Sequence, residues 1–174
     1  PFVVVSDVVE CTDTTALADV LLPATAWGEK DGTVTNSERR ISRQRAFLDA
    51  PGQARPDWWQ FTEVARKMGY GAAFPYRGPQ DIFAEYASLT GYRNDGSRDL
   101  DISAYADNDV EDYAALAPFQ WPQRIGETGE EKRFFAEGGY FTKDRRARFV
   151  SIPYRPAVDQ PERYYPFVLN TGRI

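Results

Sequence analysis

The sequence predicts an α/β fold, a parallel-sheet piece followed by a mixed α+β piece with a β-hairpin. Three observations carry that prediction. Phe2-Val3-Val4-Val5 is a continuous β-branched and aromatic run closed by the polar pair Ser6-Asp7. A second apolar run, Val20-Leu21-Leu22, follows and is stopped by Pro23. Beyond residue 56 the hydrophobic period changes to that of helices, and beyond residue 139 it returns to that of strands.

Phe2 to Val5 has the pattern of a strand covered on both faces, ending at the carboxyl edge where α/β sheets commonly receive ligands. Thr12 or Asp13 can cap a short helix running through Ala18, and Asp19 leads into Val20–Leu22. Strand, helix and strand within about twenty residues form a βαβ unit, so the two strands are expected to be parallel. From Ala24 to Pro56 helical periodicity is weak. Trp27 to Thr33 is rich in turn formers, and Val34 to Phe47 carries Asn36, Glu38, Arg39, Arg40, Arg43 and Arg45. So long a polar stretch is usually functional or wrapped on a partner surface.

Asp57 is expected to be an N-cap, with Gln60 completing a pair like a capping box. Trp58, Phe61, Val64, Ala65 and Met68 then fall on one helical face, and Gly69 suits the residue past the end. A second helix is expected from Pro79 to Leu89, burying Ile82, Phe83, Tyr86 and Leu89 before Gly91, and a weaker one around Val110–Leu116. Tyr140–Thr142 and Ala147–Ile152 read as strands of a hairpin turning at Lys143–Arg146. Tyr165–Leu169 reads as a last strand. A strand at each end of the chain leads us to expect a piece cut from a longer protein, able to pair its edges into a dimer.

Composition narrows the chemistry. Of 174 residues 26 are acidic and 21 basic, a net charge of −5 that argues against a nucleic-acid partner. No apolar run reaches the roughly 20 residues that span a bilayer, so no membrane partner is expected. Histidine is absent, which excludes within this chain a catalytic triad or a histidine metal site. Cys11 is the one cysteine, so no internal disulfide or multi-cysteine cluster can form. It is expected to be a buried or partly buried structural thiol, and a single thiol fits a cytoplasmic location. No metal-ligating set is recognised.

Several side chains admit two readings. Ser6 and Asp7 could take the hydrogens of a nucleotide-like ligand, or simply stabilise a strand-end turn. Lys30, in a turn flanked by glycines, could meet a phosphate or be a solvated lysine. The arginines from Arg39 to Arg45 could hold anions or form a solvated face. Asp57 is accounted for by capping, with which any ligand role must coexist. Neither GxGxxG nor GxxxxGK[ST] is present.

Taken together, Ser6-Asp7, Thr14–Ala24, Trp27–Arg40, Pro51-Gly52, Ala54–Trp58, Gly126, Ala147–Phe149 and Thr171-Gly172-Arg173 resemble, in order, the molybdopterin oxidoreductases of the dimethyl sulfoxide reductase superfamily. Asn36–Arg45 with Arg55–Trp59 is most similar to the assimilatory nitrate reductase group. Formate dehydrogenases and periplasmic nitrate reductases are the next resemblance, and a binding module without chemistry is the alternative from another class. The resemblance implies a parent enzyme with molybdenum held by two molybdopterin guanine dinucleotides and an iron–sulfur cluster, reducing nitrate to nitrite. It implies that Ser6, Asp7, Lys30 and Asp57 contact a guanine dinucleotide and that Thr171, Gly172 and Arg173 open a second cofactor-binding loop. The cluster's cysteines and the protein ligand to molybdenum would lie elsewhere in the parent. Residues 1–52 would end a guanine dinucleotide-binding domain, 53–163 would form part of a mixed domain, and 164–174 would begin the C-terminal cofactor domain. The chain alone would then be inactive and bind no cofactor, its partners being nitrate and the rest of the parent chain.

Overall fold

The computed structural model describes residues 1–127, 133–170 and 172. The chain divides into two compact units, Pro1–Glu131 and Lys132–Ile174. The architecture is mixed α/β: a two-stranded parallel sheet, a three-stranded antiparallel sheet and a few helices.

In the first unit, β1 (Val4–Asp7) pairs in parallel with β2 (Val20–Pro23), with Val4 opposite Val20 and Asp7 opposite Pro23. The crossover is a single 3-10 turn, Thr15–Leu17, tighter than the short helix expected there. Thr12 and Thr15 fasten it by exchanging amide-to-hydroxyl hydrogen bonds of 2.8 and 3.0 Å. The parallel pairing is as the sequence predicts, but the strand is not covered on both faces. Phe2 and Val4 are exposed, because β1 belongs to a sheet of only two strands.

Next come β3 (Gly32–Thr35) and β4 (Arg40–Gln44), an antiparallel hairpin inside the stretch whose periodicity had suggested no element. Its turn is made by Asn36, whose Oδ1 accepts the amides of Glu38 and Arg40 at 2.9 and 3.0 Å. This side-chain turn leaves the half-buried Arg39 in the left-handed region (φ 67°). A two-residue strand, β5 (Phe119–Gln120), adds to β4 with Ile41 opposite Phe119.

Three helices complete the unit: α1 (Asp57–Ala65), α2 (Pro79–Gly91) and α3 (Val110–Ala115). Pro79 opens α2 at the position where a missing amide costs nothing, and Asp109 caps α3 by accepting the Asp112 amide. After α1 the chain continues helically through Tyr70, broken at Gly69, whose φ of 93° is the conformation expected of a helix-ending glycine. None of the described helices is long and apolar enough to cross a membrane.

The core lies between the antiparallel sheet and α2 and α3. It comprises Ile41, Phe83, Ala87, Ile102, Tyr113, Leu116 and Phe119. Phe83 meets Tyr113 with ring centroids 5.4 Å apart, and Tyr105 stacks on Phe119 at 4.1 Å. Two helices turn differently from their apolar periodicity. On α1 the buried residues are Gln60, Thr62 and Ala65, while Phe61 and Val64, and Met68 in the continuation beyond α1, face outward. On α2 Phe83, Ala87 and Thr90 are buried, and Tyr86 and Leu89 are exposed. Polar contacts decide both orientations. Gln60 and Thr90 have hydrogen bonds to make inside: the Thr90 hydroxyl donates to Ala87 O and accepts the Ile102 amide.

The second unit corrects the sequence reading. The expected turn is present, with the Asp144 carboxylate accepting from the Arg146 amide and the Thr142 hydroxyl. Those bonds hold the Asp144 carboxyl below its usual range. The strands expected at Tyr140–Thr142, Ala147–Ile152 and Tyr165–Leu169 do not form, and Phe149 is 96% exposed. An isolated two-stranded ribbon is marginal in water, and these side chains have no apolar layer to cover. The hairpin of this chain is β3–β4 instead.

Ile41→Ala should lower stability by about 3 kcal/mol, the usual cost of emptying a core isoleucine, whereas Phe61→Ala should change it by less than about 0.5 kcal/mol. Urea unfolding of the two variants checks both. Burial raises the Tyr113 hydroxyl pKa, an effect that Arg43 partly opposes. Its neutral form is therefore favoured in the fold, a contribution complete below about pH 10 and lost as pH rises through the folded pKa. Tyr113→Phe should make the alkaline fall in stability shallower, as read from denaturation midpoints across that range.

Candidate functional site

The site forms where three chain segments end together. The Ala24 amide donates to Asp7 O at 3.0 Å, carrying the β1–β2 ladder one step past Pro23. On the other side of β2, Ala24 forms a parallel bridge with Arg55. The Arg55 amide donates to Pro23 O at 3.1 Å, and the Thr25 amide donates to Arg55 O at 3.2 Å. Asp7, Thr25 and the start of α1 thus share one carboxyl edge, the side of a parallel sheet where ligands bind.

Ser6 is exposed at the end of β1. Asp7 is half-buried, and its Oδ1 accepts the Val9 amide at 3.0 Å, so the strand-end turn does form. Asp57 is not the N-cap: Pro56 holds that place, and α1 has no side-chain cap bond. The Asp57 carboxylate turns instead to Lys30, with Oδ2 to Nζ at 3.3 Å. The capping-box role of Gln60 fails with it. Its amide donates inward to Pro23 O at 3.0 Å and Arg55 O at 3.2 Å, fastening α1 to the edge. Gly172 is exposed, with nothing within 4 Å of where a Cβ would stand. Thr171 and Arg173 lie outside the described residues. Cys11 is exposed and not the buried thiol expected, because it sits in the open crossover before the Thr15–Leu17 turn.

Lys30 is delivered by a tightly held turn. Glu29 accepts the Ala26 amide at 2.8 Å, and Gly28 O accepts the amides of Phe47 and Leu48 at 2.9 and 3.0 Å. A Cβ at Gly28 would lie 2.8 Å from the Phe47 ring, so a larger residue there would push that exposed ring aside. From β4 the Gln44 amide reaches Trp27 O at 2.7 Å and Lys30 O at 3.3 Å. The same strand sends Arg43 to Gly32 O at 2.6 Å and to the Asp31 carboxylate at 3.0 Å. The arginines of this stretch are therefore not all solvated, although Arg45 is exposed. Arg43 is internal, and Arg45 donates to Ala114 O at 2.7 Å.

Thr25 was not among the predicted residues. It is 1% exposed, and its Oγ1 has no hydrogen-bond partner among the described residues. A buried hydroxyl without a partner is costly, and here it lies at the edge where ligand would sit. Its signal in the sequence is its place just past the proline that stops β2.

Chemically the edge offers a carboxylate acceptor at Asp7 and a compact cation at Lys30, while the Thr25 hydroxyl stays buried and unpaired in the same stretch of chain. A carboxylate suits the ring N–H and exocyclic amine of guanine, and an ammonium suits phosphate. These residues fit a guanine nucleotide. Among the described residues no three of His, Cys, Asp and Glu converge as a metal site.

A parallel-strand edge beside a helix makes this part of the chain an α/β piece. Residues 1–67 belong to the molybdopterin oxidoreductase family, whose model matches them. The chain is 46% identical over 174 residues to a nitrate reductase of Klebsiella oxytoca, covering 100% of this chain and 20% of that protein. A nitrate reductase of Shewanella frigidimarina is 43% identical over 99% of this chain and 19% of its own length. The F420-dependent formate dehydrogenase subunit alpha of Methanocaldococcus jannaschii is 36% identical over 99% of this chain and 24% of that protein. The chain therefore spans about a fifth to a quarter of the length of these relatives.

Gln60→Leu should cost about 1 kcal/mol, since the Pro23 and Arg55 carbonyls each lose one of their two donors and α1 loses its fastening to the edge. Lys30→Gln should cost less than about 1 kcal/mol, because its pair with Asp57 is screened by solvent. Denaturant titrations of the two variants separate the residue that builds the edge from the one that serves it.

Proposed function

We propose that this chain works as part of a longer molybdenum-dependent nitrate reductase and forms one wall of its guanine dinucleotide cradle. The observation that carries the reading is the convergence of Asp7, Thr25 and the Lys30–Asp57 pair on one carboxyl edge. The similarity to two nitrate reductases over essentially the whole chain supports the substrate.

In this reading Asp7 accepts the guanine ring N–H and amine hydrogens, with Ser6 at its flank. Lys30 exchanges its 3.3 Å contact with Asp57 for a phosphate oxygen. Asp57 then shares the ammonium or releases it, so the pair keeps Lys30 placed before the ligand arrives. Thr171, Gly172 and Arg173 would serve the second dinucleotide. When bound, the molybdenum cofactor supplies the redox change that turns nitrate into nitrite, and the iron–sulfur cluster carries electrons to it. The cluster and the protein ligand to molybdenum belong to other parts of the enzyme. A second reading, a formate dehydrogenase on the same scaffold, draws on the 36% identity to the archaeal subunit.

The test uses the full-length enzyme. Molybdenum, iron, released guanine nucleotide and nitrite formation with a reduced dye are measured for wild type and Asp7→Ala. The expected result is nitrite production by wild type and a loss of guanine nucleotide in Asp7→Ala of about tenfold, the worth of hydrogen bonds to a charged acceptor. Formate oxidation in place of nitrite production would move the substrate. Unchanged nucleotide in Asp7→Ala would overturn the cradle.

A further inference from the structure

We propose that Arg43 is a positioning residue for ligand binding, acting through Asp31 to keep Lys30 electropositive. The proposal rests on the reading that Lys30 meets a phosphate, and adds what sets the strength of that contact.

The Arg43 side chain is 5% exposed. Its guanidinium donates to Tyr113 O at 3.0 Å, Gly32 O at 2.6 Å and Gln44 O at 3.1 Å, and it lies 3.9 Å from the centroid of the Tyr113 ring. The remaining amino group pairs with Asp31 Oδ1 at 3.0 Å. A charge buried so deeply is expensive, and a packed apolar side chain commonly stabilises a fold as well or better. What an apolar residue could not do is neutralise Asp31.

That carboxylate belongs to the residue directly after Lys30, with the two Cα atoms about 3.8 Å apart, and charges within the Debye length of about 8 Å act on one another at physiological salt. Left unpaired it would compete, beside Asp57, for the Lys30 ammonium and so weaken its hold on a phosphate. With Arg43 in place the local balance changes: Asp31 is offset from within the core, and Asp57 is the carboxylate that Lys30 exchanges for ligand. Arg43 also holds the Gly32 carbonyl, so the same side chain fixes the end of the Lys30 turn.

The test measures guanine nucleotide retained per polypeptide in the purified full-length enzyme, with thermal melting alongside. Arg43→Gln should lower retention roughly two- to fivefold, the effect of one screened charge pair. Adding Asp31→Asn to Arg43→Gln should restore it, because the unmasked carboxylate is gone. In a Lys30→Gln background Arg43→Gln should change little, since the residue through which it acts is missing. Should Arg43→Gln not fold, Arg43→Lys takes its place: it keeps the charge, loses the forked donors, and should retain nucleotide as wild type does. No recovery in the double variant, an undiminished Arg43→Gln loss without Lys30, or loss in a folded Arg43→Lys overturns the proposal. If Lys30→Gln itself retains full nucleotide, the underlying reading fails and this one with it. A Lys30→Gln loss with no Arg43→Gln loss removes this proposal alone.

Discussion

Three backbone amides hold the site together. Ala24 donates to Asp7 O, Arg55 to Pro23 O, and Thr25 to Arg55 O. Without them β1, β2 and the approach to α1 would be separate pieces of chain, and Asp7 and Asp57 would have no fixed relation. With them three carboxyl ends share one edge. Gln60 bonds two of the carbonyls nearby and so sets the rotation of α1, which is why that helix buries a glutamine and a threonine and leaves Phe61 outside.

The second support is the polar hairpin. β4 offers the core chiefly Ile41, and the rest of its length is spent on hydrogen bonds. Arg43 and Gln44 together hold the carbonyls of Trp27, Lys30 and Gly32 and the carboxylate of Asp31. Lys30 gains a fixed backbone while its own side chain stays partly exposed beside Asp57. Preorganisation of this kind lowers the ordering cost of binding, since the turn need not be frozen when ligand arrives.

The sequence made some of this legible and hid the rest for physical reasons. The parallel β1–β2 pair was readable because β-branched runs ended by Ser6-Asp7 and Pro23 leave little else for the chain to do. Helices α1 and α2 were readable in extent but not in rotation, since buried hydrogen bonds of Gln60 and Thr90 outweighed the apolar stripe. The β3–β4 hairpin was missed because its strands carry arginine, serine and glutamine, and its turn is made by the Asn36 side chain rather than by glycine. At Tyr140–Ile152 the error ran the other way: the alternation was strand-like, but no apolar layer covers those side chains. Ser6, Asp7 and Lys30 could be named from the sequence, and so could Asp57, though its partner proved to be Lys30 rather than the helix backbone. Thr25 was not named, and Arg43 stood only as one member of a charged run, because an orphaned hydroxyl and an internal guanidinium are properties of packing.

The central claim is that the shared carboxyl edge faces the guanine end of a bound dinucleotide. The most direct measurement is a structure of the full-length enzyme carrying its cofactor. The account predicts the Asp7 carboxylate within hydrogen-bond distance of a guanine ring N–H and amine, with Lys30 turned from Asp57 to a phosphate oxygen. A dinucleotide lying away from this edge, with Lys30 still paired to Asp57, would contradict it.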